Sequence, residues 1–297
     1  MELLIHLTQD ISLFDMSGVY NDHAIGLAVG LREALKAPYL MHALLGFSAQ
    51  HLAYLYPHRS AHFLRQAVSM QTRAVSLLNA SWTDVNESNC VTMLLFSSIL
   101  GHQLLAETFH KRDDNGLEGF MARYVQCINT HRGIYHISKA AWGLIISSDI
   151  GPIVSRSAEF TSRDPVGHDC QMLKRLVDDT VDLTENEKEA CQRMIDYLQV
   201  GFDALAETWH TPVYRHQMIY SWTLLVWPEL NKMLAEKRPE ALIILAYYSV
   251  LLYFGKALWQ VGDVGEYLFG LIKEHLGTDW DHWLQFPREQ ITGNASS

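Results

Sequence analysis

A chain of 297 residues is long enough to enclose one large hydrophobic core or two smaller ones. Hydrophobic residues make up 48% of the sequence and charged residues 19%, which indicates a packed globular protein and excludes a disordered one. The 23 basic and 33 acidic residues give a net charge of −10. Because phosphate contacts need clustered lysine and arginine, we expect no direct contact between this chain and nucleic acid.

The cysteines and the apolar runs indicate where the chain resides. The four cysteines are widely spaced and include no C-x-x-C pair, so we predict neither a zinc ribbon nor a redox dithiol. They are typical of buried thiols in a reducing compartment, and the N-terminus lacks the pattern of a signal peptide, so we expect a cytoplasmic or nuclear location. The longest apolar run, residues 241–254, is shorter than the roughly 18–20 residues that span a bilayer, so we predict a core helix and no membrane span.

Apolar residues recur with helical period along almost the whole chain, and no stretch alternates as a strand would, so we predict an all-α protein. The predicted helices of the first half cover residues 41–55, 60–79, 90–108 and 117–130. Pro57 is expected to end the first of them, and Gly133 is expected to form a turn after the fourth. The aperiodic residues 156–172 are predicted to form a mobile loop.

The second half contains the strongest helix signals. Thr184 and Glu187 have the spacing of a capping box and predict the start of a helix over 185–209. A helix over 213–235 is expected to be interrupted near Pro228.

Residues 240–258 are apolar on nearly every face, which predicts a central buried helix. Gly277 is expected to end the helix that follows, and Thr278 to cap a short final one. Because neither a repeat nor a linker interrupts the chain, we predict a single domain over residues 1–297. This domain would be a helical bundle around the central helix, with an apolar cavity.

Three segments resemble the regulatory, ligand-binding domain of fungal binuclear zinc-cluster transcription factors, the sterol uptake control branch in particular. They are HALLGFSAQHLAYLYP at 42–57, FMARYVQCINTHRGIYHISKAAWGLIISSDIGPIV at 120–154, and the closing block, which contains RPEALIILAYYSVLLYFGK at 238–256 and LGTDWDHWLQFPREQI at 276–291. The resemblance implies an all-helical fold, a deep apolar pocket for a sterol-like ligand, and a possible homodimer. The cysteine cluster that binds DNA in such factors is not in this sequence. We therefore expect either ligand sensing without that module or a pocket with another use.

His102 is the main candidate for chemistry. It shares a helical stripe with Leu95 and Ile99, so its imidazole would lie among aliphatic neighbours and could act as a general acid or base on a lipophilic substrate. The alternative is a core histidine that is hydrogen-bonded to a carbonyl group.

Glu107 is the second catalytic candidate. It follows Gln103 by four residues on the neighbouring stripe, and the alternative interpretation is a surface Gln–Glu pair. Because His102 and Glu107 are separated by about 140° around a helix, they cannot form a pair on their own.

Aromatic and aliphatic residues of the predicted helices suit a sterol or another polycyclic ligand by burial and stacking, and they suit core packing equally well. The predicted ligand-binding residues are Leu95, Ile99, Gln103, Trp142, Trp222, Tyr248, Leu252 and Trp259. His58 and His62 have the i,i+4 spacing of metal ligands, but no carboxylate accompanies them, so we predict no metal site. The common catalytic and nucleotide-binding motifs are missing, so we predict no cofactor.

Two functions follow from these observations. The first is a transcription-regulatory domain that binds a sterol-like or other lipophilic small molecule in a helical pocket. The alternative is a stand-alone, cofactor-independent isomerase or cyclase that acts on a polycyclic fungal secondary metabolite and evolved from that pocket. We favour the first, because the sequence offers no recognised set of catalytic residues.

Overall fold

The computed structural model describes residues 1–14, 20–81, 84–112, 115–207 and 214–293. For residues 11, 14, 20–23 and 134–138 it describes the backbone only. The predicted C-terminal end of the 185–209 helix and the predicted start of the 213–235 helix lie outside the described residues.

The predicted all-α fold is confirmed: fifteen helices and no strand are found in the described part of the chain. The helices are α1 (Glu2–Gln9), α2 (Tyr20–Ala34), α3 (Pro38–Leu55), α4 (Ser60–Ala80), α5 (Cys90–His110), α6 (Gly116–Ala140), α7 (Trp142–Ile146), α8 (Gly151–Thr161), α9 (Gln171–Asp179), α10 (Glu185–Ala206), α11 (Gln217–Leu225), α12 (Pro228–Ala235), α13 (Pro239–Phe254), α14 (Val264–Leu276) and α15 (Gln285–Thr292).

Several predicted boundaries are confirmed. Helix α3 ends at Leu55, two residues before Pro57. The capping box at the start of α10 is present. The Thr184 side chain accepts a hydrogen bond from the Glu187 backbone N–H, and the Glu187 side chain accepts one from the Thr184 backbone N–H. Pro228 is the first residue of α12, which follows a break after α11, and α14 ends at Leu276, directly before Gly277, whose φ of +72° suits glycine.

Two predicted features are wrong, and a third is wrong in part. Gly133 forms no turn, because α6 continues through it to Ala140. Residues 156–161 and 171–172 of the predicted loop are helical, whereas 162–170 are not, so the predicted bounds are wrong and the mobility stays a prediction. The backbone N–H groups of Val166, Gly167 and Cys170 are bonded to side chains of α10. Thr278 caps neither following helix, because it is the first residue of a short 3₁₀ helix whose N-cap is Gly277, and the N-cap of α15 is Leu284.

The chain folds into two compact units. The first unit comprises residues 1–104 and 130–159. Its centre is the pair α3 and α4, against which α1 packs through Leu3. The second unit comprises residues 105–129 and 160–297. The predicted domain boundaries, residues 1–297, stay a prediction.

Helix α13 is the centre of the second unit, as its sequence predicts. Every residue from Glu240 to Tyr253 is buried, because α9, α10, α11, α12, α14 and α15 all pack against it. Gly265 of α14 lies so close to α13 that a Cβ atom there would be 2.5 Å from the Tyr253 backbone nitrogen. Glycine is therefore required at this crossing of the two helices.

One helix of the described residues, Cys90–His110, is long and apolar enough to cross a membrane by length and composition. Of its most apolar 18-residue window, 56% is buried inside the protein. This burial favours a core helix over a membrane span.

Candidate functional site

The candidate site is an aromatic cluster in the core of the second unit. Trp222 of α11 stacks on Tyr248 of α13, with ring centroids 5.0 Å apart and an interplanar angle of 17°. Tyr124 of α6 lies beside them, with its ring centroid 6.5 Å from that of Tyr248. All three side chains are fully buried. We call Tyr124, Trp222 and Tyr248 the aromatic cluster.

Helical periodicity explains why these side chains meet. In α6 the residues Leu117, Phe120 and Tyr124 recur at intervals of three and four, so they share one buried face. Tyr248 lies in the middle of α13, which is buried on all sides. Trp222 lies within the short helix α11, most of which is buried as well.

The aromatic cluster brings three polar atoms into an apolar core. The Tyr248 hydroxyl donates a hydrogen bond of 2.6 Å to the carbonyl oxygen of Ile219. The Tyr124 hydroxyl and the Trp222 indole nitrogen are buried near one another, yet neither makes a hydrogen bond of normal geometry. A buried polar group that lacks a partner costs about 1–3 kcal/mol, so these two atoms are poorly satisfied in this core.

The cluster has no ionised side chain at neutral pH. Burial is the main cause that raises the pKa of Tyr124 and of Tyr248 well above the ordinary value. Burial also raises the pKa of the neighbouring Cys127 thiol to about 12. The cluster therefore offers neutral hydrogen-bonding groups and aromatic surface, which suit an uncharged ligand with a polar group.

Two other predicted ligand residues lie in the second unit. Leu252 is buried one turn beyond Tyr248 on α13. Trp259 is buried after the end of α13, and its carbonyl oxygen lies 2.7 Å from His110 Nε2. Glu107, the second catalytic candidate, also belongs to this unit and is exposed.

His102 lies in the first unit, so the structure does not place it in the aromatic cluster. Its ring centroid is 6.4 Å from that of Phe47. Burial, together with the nearby His131, lowers the pKa of His102 to about 3. His102 is therefore neutral at pH 7 and is a weak base there, since a general base works best with a pKa near the operating pH.

Gln103 is a packing residue of the first unit. It is buried, so the interpretation as a surface Gln–Glu pair with exposed Glu107 is wrong. Its backbone carbonyl oxygen accepts a hydrogen bond of 3.1 Å from the Gln50 side chain. A Cβ atom added at Gly46 of α3 would lie 2.9 Å from Gln103 Nε2, which shows how closely α3 approaches this side chain.

The remaining predicted ligand residues are also in the first unit. Ile99 is buried and Leu95 is half-buried, both on α5. Trp142 begins the short helix α7, and 43% of it is exposed. The predicted ligand residues are thus divided between the two units, and the structure groups only part of them in the aromatic cluster.

Two cavities lie in the described part of the chain away from the aromatic cluster, and neither is lined by a predicted ligand residue. One of about 260 Å³ lies in the first unit between the start of α3 and the start of α5, and Glu33, Lys36 and Tyr39 line part of it. The other, of about 430 Å³, lies in the second unit beside His168, Asp169 and Arg175. Charged side chains line both, so neither corresponds to the predicted apolar cavity, which stays a prediction.

Tyr124 is the member of the aromatic cluster that the sequence did not single out. The available signal was the stripe of Leu117, Phe120 and Tyr124, which places the tyrosine on the buried face of α6. A tyrosine at such a position brings a hydroxyl group into the core, which is a reason to examine it as a binding residue.

Comparison with known proteins gives no match of any kind: no family model, no curated protein and no solved structure matches this chain. The resemblance of three segments to fungal zinc-cluster regulatory domains therefore stays a prediction.

Proposed function

We propose that this protein binds an uncharged, lipophilic small molecule of the sterol class in the second unit, and that it acts as a transcription-regulatory domain. The observation that supports this function best is the pair of buried polar atoms, Tyr124 Oη and Trp222 Nε1, which interact within the aromatic cluster but make no hydrogen bond of normal geometry. The regulatory role rests on the resemblance of the three segments.

A ligand with one hydroxyl or carbonyl group would satisfy both atoms. The Trp222 N–H can only donate, whereas the Tyr124 hydroxyl can donate and accept. A sterol hydroxyl could accept from Trp222 and donate to Tyr124, while its apolar rings pack on aromatic surface. The hydrogen bonds to the ligand would offset the free-energy cost of two buried polar groups that are poorly paired in the core.

Binding requires a rearrangement of the aromatic cluster. The three rings lie within contact distance, so the ligand must separate Tyr124 from the Trp222–Tyr248 stack. A ligand that binds only the separated arrangement increases the population of that arrangement. The size of the increase is set by the difference in the ligand's affinity for the two arrangements. Such a shift is how binding would be communicated to a regulatory partner.

The alternative function, a cofactor-independent isomerase or cyclase, has less support. His102 has a pKa of about 3 and lies in the first unit, whereas exposed Glu107 lies in the second. Recovery of a chemically changed molecule after incubation, together with loss of the change in His102→Gln, would replace the binding function with this one.

The test is a titration with dehydroergosterol, a fluorescent sterol, followed by energy transfer from tryptophan. We expect saturable binding by the wild-type chain and about tenfold weaker binding by Tyr124→Phe, because one hydrogen bond to the ligand is worth about 1.4 kcal/mol. Tyr39→Phe is the matched control, since Tyr39 is a buried tyrosine of the first unit whose hydroxyl donates to Thr92 at 2.8 Å. Equal affinity for Tyr124→Phe and wild type, or no binding by the wild type, would refute the proposal.

A further inference from the structure

Two histidines and an aspartate meet at the edge of the first unit. His6 Nε2 lies 3.0 Å from His51 Nδ1, and His6 Nδ1 lies 3.6 Å from Asp10 Oδ2. One ligand atom from each of the three residues can be chosen so that all lie within 4.8 Å of one another. This group, which we call the His–Asp–His cluster, is separate from the aromatic cluster.

The packing of α1 on α3 fixes the positions of these side chains. His6 is on α1, Asp10 directly follows that helix, and His51 is a buried residue of α3. The Ser48 hydroxyl of α3 donates a hydrogen bond of 2.8 Å to the Leu3 carbonyl oxygen, which ties the two helices together.

A second contact anchors the other side of α1. Arg59 donates two hydrogen bonds, of 2.8 and 3.0 Å, to the two carboxylate oxygens of Glu2. Such a bidentate pair holds a helix in a defined position better than a single contact does. His6 is therefore held opposite His51 by contacts that do not involve the cluster itself.

The Asp10 carboxylate is oriented by a neighbour. Its Oδ1 atom accepts hydrogen bonds from the Ser12 backbone N–H at 2.9 Å and from the Ser12 hydroxyl at 2.5 Å. The other carboxylate oxygen, Oδ2, is thereby directed towards His6. Hydrogen bonds of this kind, which fix the orientation of a ligating carboxylate, are a regular feature of metal sites.

We propose that the His–Asp–His cluster binds one divalent transition-metal ion of the zinc class. Two imidazoles and one carboxylate are the donors that Zn²⁺ and its neighbours accept. Tetrahedral zinc with Zn–N bonds of about 2.0–2.1 Å places two ligand atoms about 3.3 Å apart, so the two imidazole nitrogens, now 3.0 Å apart, need to separate by only about 0.3 Å. Asp10 Oδ2 faces the other nitrogen of His6, so the carboxylate must move towards the ion, by up to about 1.5 Å from a ligand-atom separation within 4.8 Å.

The environment also suits a metal. The side chains of His6 and Asp10 are 11% and 29% exposed, so an ion can enter from solvent and a water molecule can complete its coordination. Burial, as the largest cause, lowers the pKa of His51 to about 4 and that of His6 below its ordinary value, and neutral imidazole is the form that binds metal. The alternative is a chain of hydrogen bonds from Asp10 through His6 to His51 that holds no ion.

The experiment is calorimetry of Zn²⁺ binding to the full chain, prepared without an affinity tag and treated with EDTA. We expect one ion per chain, and d–d absorption bands of low-coordinate Co²⁺ when cobalt replaces zinc. Asp10→Asn should weaken binding about a hundredfold, and Ser12→Ala about tenfold, since loss of an orienting hydrogen bond costs about 10–100-fold in affinity. His51→Gln should also lose binding, but His51 is buried and this variant could fail to fold. Asp10 is partly exposed, so Asp10→Asn keeps the test valid in that case.

The matched control is the double variant His58→Gln, His62→Gln. These histidines have the i,i+4 spacing of metal ligands but are exposed and lie outside the cluster, so the control should bind as tightly as the wild type. Equal affinity of Asp10→Asn and wild type, loss of binding in the control, or no Zn²⁺ binding by the wild type would each overturn the proposal. The result is independent of the proposed sterol binding, because the dehydroergosterol titration is performed in EDTA.

Discussion

Tyr124 and Tyr248 are both fully buried tyrosines of the second unit, but their hydroxyl groups differ in environment. The Tyr248 hydroxyl is bonded to the Ile219 carbonyl oxygen, whereas the Tyr124 hydroxyl makes no hydrogen bond of normal geometry. A buried polar group stabilises a core only when the group is paired, so the two hydroxyls should contribute to stability with opposite sign.

The corresponding prediction concerns Tyr124→Phe and Tyr248→Phe. Tyr124→Phe should leave the free energy of unfolding unchanged or raise it by up to about 1 kcal/mol, because the variant removes a buried hydroxyl that makes no hydrogen bond of normal geometry. Tyr248→Phe should lower the free energy of unfolding by about 0.5–1.5 kcal/mol, because one hydrogen bond is lost. Urea denaturation of both variants measures the two changes. A clear loss of stability in Tyr124→Phe would show that its hydroxyl is satisfied in the core.

The segment between α8 and α9 shows how side chains can order a chain that is not helical. Asp203 of α10 accepts hydrogen bonds from the backbone N–H groups of Val166 and Gly167, at 2.8 and 2.9 Å. Gln199, one turn earlier, accepts from the Cys170 N–H at 2.9 Å and donates to Asp203. The backbone of the segment is thereby paired by two side chains of one helix.

We therefore predict slow amide exchange at Val166, Gly167 and Cys170, although they lie outside any helix. In Asp203→Ala the amides of Val166 and Gly167 should exchange at least about tenfold faster, because the loss of a hydrogen bond to a charged group is worth about 1.5–3 kcal/mol. Hydrogen exchange followed by NMR or mass spectrometry measures the effect, with Asp196→Ala on the same helix as the control. Rapid exchange of these amides in the wild type would support the mobile loop that the sequence predicts.

Sequence periodicity predicts the helices well and their contacts poorly. The boundaries of α4 and the capping box of α10 could be predicted because the signals are local. The turn predicted at Gly133 is wrong because a single glycine lowers helix stability by only about 1 kcal/mol, which the rest of α6 can offset.

The residues of the two proposed sites could not be grouped from the sequence, because they come from distant parts of the chain. His6 and His51 are 45 residues apart in the chain, and no local pattern relates them. The orientation of Tyr124 towards Trp222 and Tyr248 depends likewise on how three helices pack. Such sites follow from tertiary packing, which a period of 3.6 residues does not specify.

At the scale of the whole molecule, we expect the two units to differ in their response to acid. Burial lowers the pKa of His110 in the second unit, but the largest decreases are in the first. Burial, as the largest cause, lowers the pKa of His51 and of His131 to about 4 and that of His102 to about 3, and all three belong to the first unit. In the unfolded chain each would titrate near its ordinary value of 6.5. Between the folded and the unfolded pKa values, the unfolded chain binds protons that the folded chain does not. The stability that the neutral histidines contribute is therefore fully present above pH 6.5 and is lost as the pH decreases towards 4.

We predict that the first unit of the metal-free protein loses its structure before the second when the pH decreases from 7 to about 5. Below pH 6.5, each of the three histidines should lower the free energy of unfolding by about 1.4 kcal/mol per pH unit. Hydrogen exchange across the chain measures the order, and His131→Gln should reduce the acid sensitivity of the first unit. Earlier loss of protection in the second unit would contradict this account.

The central claim, that the aromatic cluster of the second unit binds an uncharged lipophilic ligand, is tested most directly by native mass spectrometry of the chain purified from a fungal host. We expect one apolar molecule per chain, identified after extraction, in the wild type and in Tyr39→Phe, and a lower occupancy in Tyr124→Phe. A chain that is recovered without a ligand and takes up none from a lipid extract of the host would contradict the claim.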